Sequence, residues 1–172
     1  MLPHKGYLSD HTEEPSSLRD HGMIELELHE AQLYRMLSSL FGTDRIVVRM
    51  SALAACGGEV REVPESLKPG FTSAESLKGW AAQESCLFTV VDHNDSPKMV
   101  LEFFSGFGKI IEAHAVDHHR ILPALLQEVG VHYVTIPRDQ FSRMIDPSQS
   151  FDLTSYLGDF FDTASDEDAD LR

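Results

Sequence analysis

Apolar positions along this chain change period several times, and each change marks an element. From Ile24, the residues Leu26, Ala31, Leu33, Tyr34, Leu37, Leu40 and Phe41 recur close to helical spacing, with Gly42 as a stop. That spacing predicts an amphipathic helix over 24–41. Residues 45–50, RIVVRM, are short and β-branched and predict a strand. SALAAC at 51–56 has the form of one helical turn capped by Ser51 and ended by Gly57 and Gly58. Residues 57–79 mix Gly, Pro and charge and predict a surface excursion. It is long for a loop, and 73–82 has room for a short helix within and just beyond it.

The apolar runs 86–91 and 99–104 flank a cluster of turn formers, DHNDSP, and predict a hairpin. Neither run alternates cleanly with polar residues, so both strands are expected to be buried on both faces. After the glycine-rich break SGFG, Ile121, Leu122, Leu125, Leu126 and Val129 form one stripe of a helix over about 115–129 that contains Pro123. Gly130 ends it, 131–136 is a β-rich strand, and 138–144 is a short helix. A helix between two strands of one sheet favours a right-handed crossover into a parallel pair. The expected class is α/β, a three-layer-like mixed sheet of about four strands flanked by helices.

Composition adds boundaries. The chain has 172 residues, 42% of them hydrophobic, enough for one domain with a real core. The expected organisation is a polar leader over 1–22, the α/β domain over 23–146, an apolar segment over 147–161 and an acidic tail over 162–172. The leader has no apolar region, and no run of eighteen apolar residues occurs, so neither a secretory signal nor a membrane span is expected. Two cysteines, Cys56 and Cys86, do not make a disulfide framework. Buried, reduced thiols and a cytoplasmic location are the simplest reading.

Net charge is −14. Residues 1–30 carry seven acids and two bases, or −5; residues 159–172 carry six acids and one arginine, also −5. The remaining −14 + 10 = −4 falls on 31–158, so even the central region is acidic. Nucleic-acid binding draws on lysines and arginines that neutralise phosphates, and this balance disfavours it as a partner without excluding a local basic groove. Oligomeric state is not legible.

In element order the chain resembles the restriction-endonuclease-like superfamily, whose signature is written PD-(D/E)xK. It is more closely similar to a group of bacterial domains related to the very-short-patch-repair nucleases. The matching segments are LHEAQLYRMLSSLFG, with Glu30; VVRMSALAAC; the hairpin with Glu102 on its second strand; and DHHRILPALLQEVGVHYVTIP. Together they span about residues 24–137. The resemblance implies a Mg²⁺-dependent phosphodiesterase built on that hairpin, with Glu102 as a catalytic carboxylate and Arg120 as a helix base. Two positions depart from the pattern: Leu87 stands where an aspartate is expected, and Phe104 where the paired lysine is expected. Glu84 and Asp92 flank the first position.

Phosphodiester hydrolysis needs Mg²⁺ held by carboxylates and a positive group near the developing charge. The candidate catalytic set is therefore Glu102 with Asp92 or Glu30, and Lys98 or Lys109 in place of the missing lysine. Alternation places Lys98, Val100, Glu102 and Phe104 on one face. His114 and His118 are four apart on a helix, a spacing that suits Zn²⁺, with Asp117 or Glu112 as an oxygen ligand. His118, His119 and Arg120 are alternatively phosphate contacts. Three functions remain open from these residues. One is a nuclease-fold protein with an eroded active site serving as an accessory or binding module in nucleic-acid metabolism. Another is a metal-dependent nuclease with a migrated site. The third is an interaction module that recruits a protein through the aromatic-acidic C-terminal segment, where Phe151, Tyr156, Leu157, Phe160 and Phe161 precede the acids.

Overall fold

A computed structural model describes residues 26–104, 113–144 and 153–157. The first helix, α1 (Leu28–Phe41), starts at Glu27, whose backbone N–H donates to the Glu30 carboxylate at 3.1 Å, and ends at Gly42 with φ +96°. A left-handed φ of this kind favours glycine. Strand β1 (Ile46–Val48) follows, then the short helix α2 (Ala52–Ala55), where the Ser51 hydroxyl accepts from the Ala54 N–H as expected of a cap. The excursion over 57–79 includes one 3-10 turn (Glu65–Leu67), and helix α3 (Ala74–Gln83) opens on a second serine cap, Ser73.

The hairpin is β2 (Phe88–Val91) and β3 (Pro97–Phe104), and the crossover helix is α4 (Ala113–Glu128). Strand β4 (His132–Pro137) runs directly into α5 (Arg138–Met144), and a last helix, α6 (Leu153–Leu157), follows. The sheet order is β1-β2-β3-β4; the first two pairings are antiparallel and β3–β4 is parallel, as the crossover requires. The α/β class and the four-stranded mixed sheet are thus present.

Two cores form, one on each face of the sheet. Leu33 and Leu37 of α1, Phe141 of α5 and Leu153 and Leu157 of α6 pack with Phe88, Val90, Met99, Leu101 and Phe103. Ala52, Leu77, Ala81, Ile121, Leu122, Leu125 and Leu126 from α2, α3 and α4 pack with Cys86, Val100 and Val131 on the other. Every residue of β2 is buried, and Met99–Phe103 of β3 is buried throughout, which explains why neither strand alternates in sequence. Cys56 and Cys86 are free and buried; burial pushes the first thiol up to about 11 and the second to about 12. Among the described residues no helix is long and apolar enough to cross a membrane.

One irregularity bears on the site. Ile46 and Val48 face the first core, and Met50, two residues on, packs against the second. In a regular strand these three would share a face. The switch occurs at Arg49, a non-glycine residue with φ +56°, whose N–H is pinned to the Leu87 carbonyl at 3.0 Å.

Candidate functional site

Glu102 lies on β3 between two large neighbours of the same face, Val100 and Phe104, and points toward α4. It is 5% exposed, and its carboxylate is met from three directions. His118 of α4 places Nε2 2.7 Å from Oε2 and 2.9 Å from Oε1. The Tyr133 hydroxyl, from β4, donates to Oε2 at 3.0 Å, and the Leu87 backbone N–H donates to Oε1 at 3.3 Å. Parallel pairing sets this up: Val100 is opposite Tyr133, so the tyrosine emerges on the Glu102 face one step before it.

The other ring nitrogen of His118, Nδ1, lies 2.8 Å from Oε2 of Glu84. Glu84 follows the last residue of α3 and is fixed by its backbone. Its N–H bonds to the Trp80 carbonyl at 3.1 Å, and its carbonyl accepts from the Ala52 N–H at 2.8 Å. Both nitrogens of His118 thus face carboxylate oxygens. Both must donate, and only the imidazolium has two donors. The pKa agrees in direction. Burial is the largest influence and lowers it, but the hydrogen bonds and charges of Glu102 and Glu84 outweigh burial and leave it raised.

His119 takes the opposite state. Its Nδ1 is 2.7 Å from the Tyr133 oxygen. Because the tyrosine proton goes to Glu102, His119 must donate here, which fixes the tautomer with Nε2 unprotonated. Burial lowers its pKa first, Glu102 opposes that, and the neighbouring His118 lowers it further; the net shift is downward. A neutral imidazole with an open lone pair is a poor phosphate contact. The Tyr133 phenol is pushed up, by burial first and then by the Glu102 charge, and stays protonated.

The carboxylate centre forms one wall of a cleft of about 310 Å³. Glu30, Glu84 and Glu102 line it, and so do Arg49, Arg138 and His118. With His118 as the imidazolium, three negative groups among the described residues meet three positive ones in a chain of net −14. Arg49 pairs with Glu30 at 3.0 Å, and Arg138 donates to Glu27 at 2.7 Å while lying 4.9 Å over the Phe103 ring.

The sequence-derived candidates separate accordingly. Glu102, Glu30, His118 and His119 come together at the cleft. Asp92 and Lys98 do not. They pair with each other at 3.3 Å at the turn of the hairpin, and four residues of strand, roughly 13 Å, separate Lys98 from Glu102. Asp92 instead caps that turn, accepting from the Asn94 and Ser96 N–H groups at 2.8 and 3.0 Å, which hold its carboxyl below the usual range. Arg120 is two helical positions from His118, about 200° around α4; it pairs with Asp117 at 3.1 Å and lies beside Gly70, away from the cleft. Lys109, Glu112 and the side chain of His114 lie outside the described residues, as does the whole of the acidic tail over 162–172.

Glu84, Tyr133, Arg49 and Arg138 are the members that the sequence reading passed over or left to one side. Glu84 meets His118 from the end of α3, and the Leu87 backbone supplies a donor to Glu102. Tyr133 on β4 is signalled by its parity with Val131, the residue just before the strand.

A divalent cation held by this centre would need oxygens that are free to turn toward it. As arranged, the space between Glu84 and Glu102 is taken by the His118 ring. Among the described residues no group of three or more His, Cys, Asp and Glu side chains is placed to hold a metal ion. No protein family, curated protein or solved structure matches this chain in comparisons with known proteins.

Proposed function

We propose that this is a protein of restriction-endonuclease-like fold whose catalytic centre has been converted into a fixed structural cluster. On this reading it serves as an accessory or binding module in nucleic-acid metabolism. One observation carries the reading: His118 sits between Glu84 and Glu102, 2.8 Å from one and 2.7 Å from the other, the place between carboxylates that the resemblance would give to a cation. An imidazolium there balances the carboxylate charge with a covalently attached group. It offers no Lewis acidity and no activated water, the two things phosphodiester hydrolysis takes from the metal. The sheet order and the helix between β3 and β4 support the fold assignment, and the absence of a lysine beside Glu102 among the described residues supports the loss of chemistry.

The test is hydrolysis of labelled single-stranded and duplex oligonucleotides by the full chain in Mg²⁺ and in Mn²⁺, beside Glu102→Gln. No cleavage by either protein is expected. Cleavage by the wild type that disappears in Glu102→Gln overturns the proposal and establishes the alternative of a migrated metal site, for which the three glutamates in one cleft are the supporting feature. The recruitment reading is tested by truncation after 158. A cut at 150 would remove Leu153 and Leu157, which belong to the first core, and so confound folding with binding.

A further inference from the structure

We infer that Arg49 and Arg138 form the anchor of the cleft for a phosphate oxyanion, carried by a nucleic-acid strand or by a free nucleotide. The inference rests on the binding-module reading above and names what that module holds. Arg49 is the residue that breaks the parity of the chain between β1 and α2, in a left-handed conformation that side-chain-bearing residues rarely adopt. Such conformations cost free energy and persist where the surroundings impose them, frequently at ligand sites. Here the kink leaves Arg49 at the end of the sheet, lining the cleft, with its side chain 41% exposed.

Its guanidinium is only partly used. Among the described residues Nη2 alone bonds to Glu30, at 3.0 and 3.3 Å, which leaves Nε and Nη1 as donors there. Arg138 is in the same position: Nη1 bonds to Glu27, the plane rests on Phe103, and the rest of the fork has no partner among the described residues. Glu27 and Glu30 are three residues apart at the start of α1, so one helix terminus presents both guanidiniums to the same cleft. Two forks with spare donors match the oxygens of a phosphate better than point charges do. Carboxylates already paired to them act as place-holders that an oxyanion displaces. The neutral His119 and the imidazolium of His118, already committed on both sides, leave the arginines as the donors among the described residues of the cleft that can meet it.

Fluorescence anisotropy of the full chain with a short labelled single strand and a short duplex tests this, with inorganic phosphate and a nucleoside monophosphate as competitors. Arg49→Gln is expected to weaken binding about ten-fold and to reduce the dependence of log affinity on log salt by about one unit. Glu30→Gln keeps an acceptor for the Glu27 N–H and frees Arg49, so it should tighten binding about three-fold, an effect that a merely structural role would not produce. Arg49→Lys keeps the charge without the fork and should fall between, which covers the case in which the glutamine variant folds poorly. Lys68→Gln, on the exposed excursion, should change nothing. Competition by the monophosphate at concentrations matching the strand assigns the phosphate to a nucleotide; failure to compete assigns it to the strand. Wild-type binding that ignores Arg49 and Glu30, or no binding of any phosphate probe, overturns the inference. Neither result bears on hydrolysis, so the two proposals fail separately.

Discussion

His118 Nε2 and Glu102 Oε2 approach to 2.7 Å in a contact whose side chains are 13% and 6% exposed. Removing the ring by His118→Ala takes the imidazolium from between Glu84 and Glu102. Breaking a buried pair from one side costs roughly 3 kcal/mol, and thermal unfolding should show a loss of that order. The same variant vacates the space between Glu84 and Glu102. Its melting temperature should rise when Mn²⁺ is added, by mass action on the folded state, while the wild type shows no such shift. A wild-type response as large as the variant's would contradict the view that the imidazolium fills the cation position.

The pH dependence has a definite sign. His118 is raised above the ordinary histidine value of 6.5, so its contribution to stability is complete below that value and is lost as pH climbs through the raised pKa. His119 is lowered from 6.5, and its contribution is lost in the other direction, as pH falls below that value. Stability should therefore decline as pH rises above 6.5. In His118→Gln that decline should vanish, which a melting series in overlapping buffers would detect.

Tyr133→Phe removes one of the donors to Glu102 and the partner of His119 in a single atom. A hydrogen bond to a charged group is worth about 1.5–3 kcal/mol; with His118 and the Leu87 N–H still in place, the lower end is expected. Once the phenol is gone, the His119 tautomer is no longer fixed, and the nitrogen-15 shifts of its ring should move toward a mixture of both forms. Unchanged shifts would show that the tyrosine does not set it.

The backbone at Arg49 permits a comparison that isolates strain. Arg49→Ala and Arg49→Gly lose the same ion pair to Glu30, but only the glycine is at ease at φ +56°. The glycine variant should be the more stable of the two by about 1 kcal/mol, read from chemical denaturation at equal slope.

The sequence was most informative where a local rule acts alone. Ser51 sits before a short helix, Gly42 and Gly130 after long ones, and DHNDSP between two apolar runs; each produced the expected cap, stop or turn. Helix α1 begins at Leu28 rather than near Ile24 because Glu27 and Glu30 define the first turn between them. The candidate site was half legible. Glu102 stood out as a carboxylate in an apolar strand, and His118 as one of a close group of histidines. That the two meet is a matter of how α4 lies across β3, which spacing along the chain does not encode. Glu84 was harder still: its place depends on the pairing of the 50–52 segment with 84–86, a long-range contact between two irregular stretches. Asp92 and Lys98 looked suitable by residue type and face, but the length of the strand keeps them from Glu102.

Strand β3 contributes Met99, Leu101 and Phe103 to one core and Val100 to the other, and hydrogen-bonds to neighbours on both edges. Neither layer of helices can then detach without uncovering a strand on which the opposite layer also depends. The two faces should melt as a single cooperative unit, and the amide protons of Met99–Phe103 should be the last in the chain to exchange with deuterated solvent, through global opening alone.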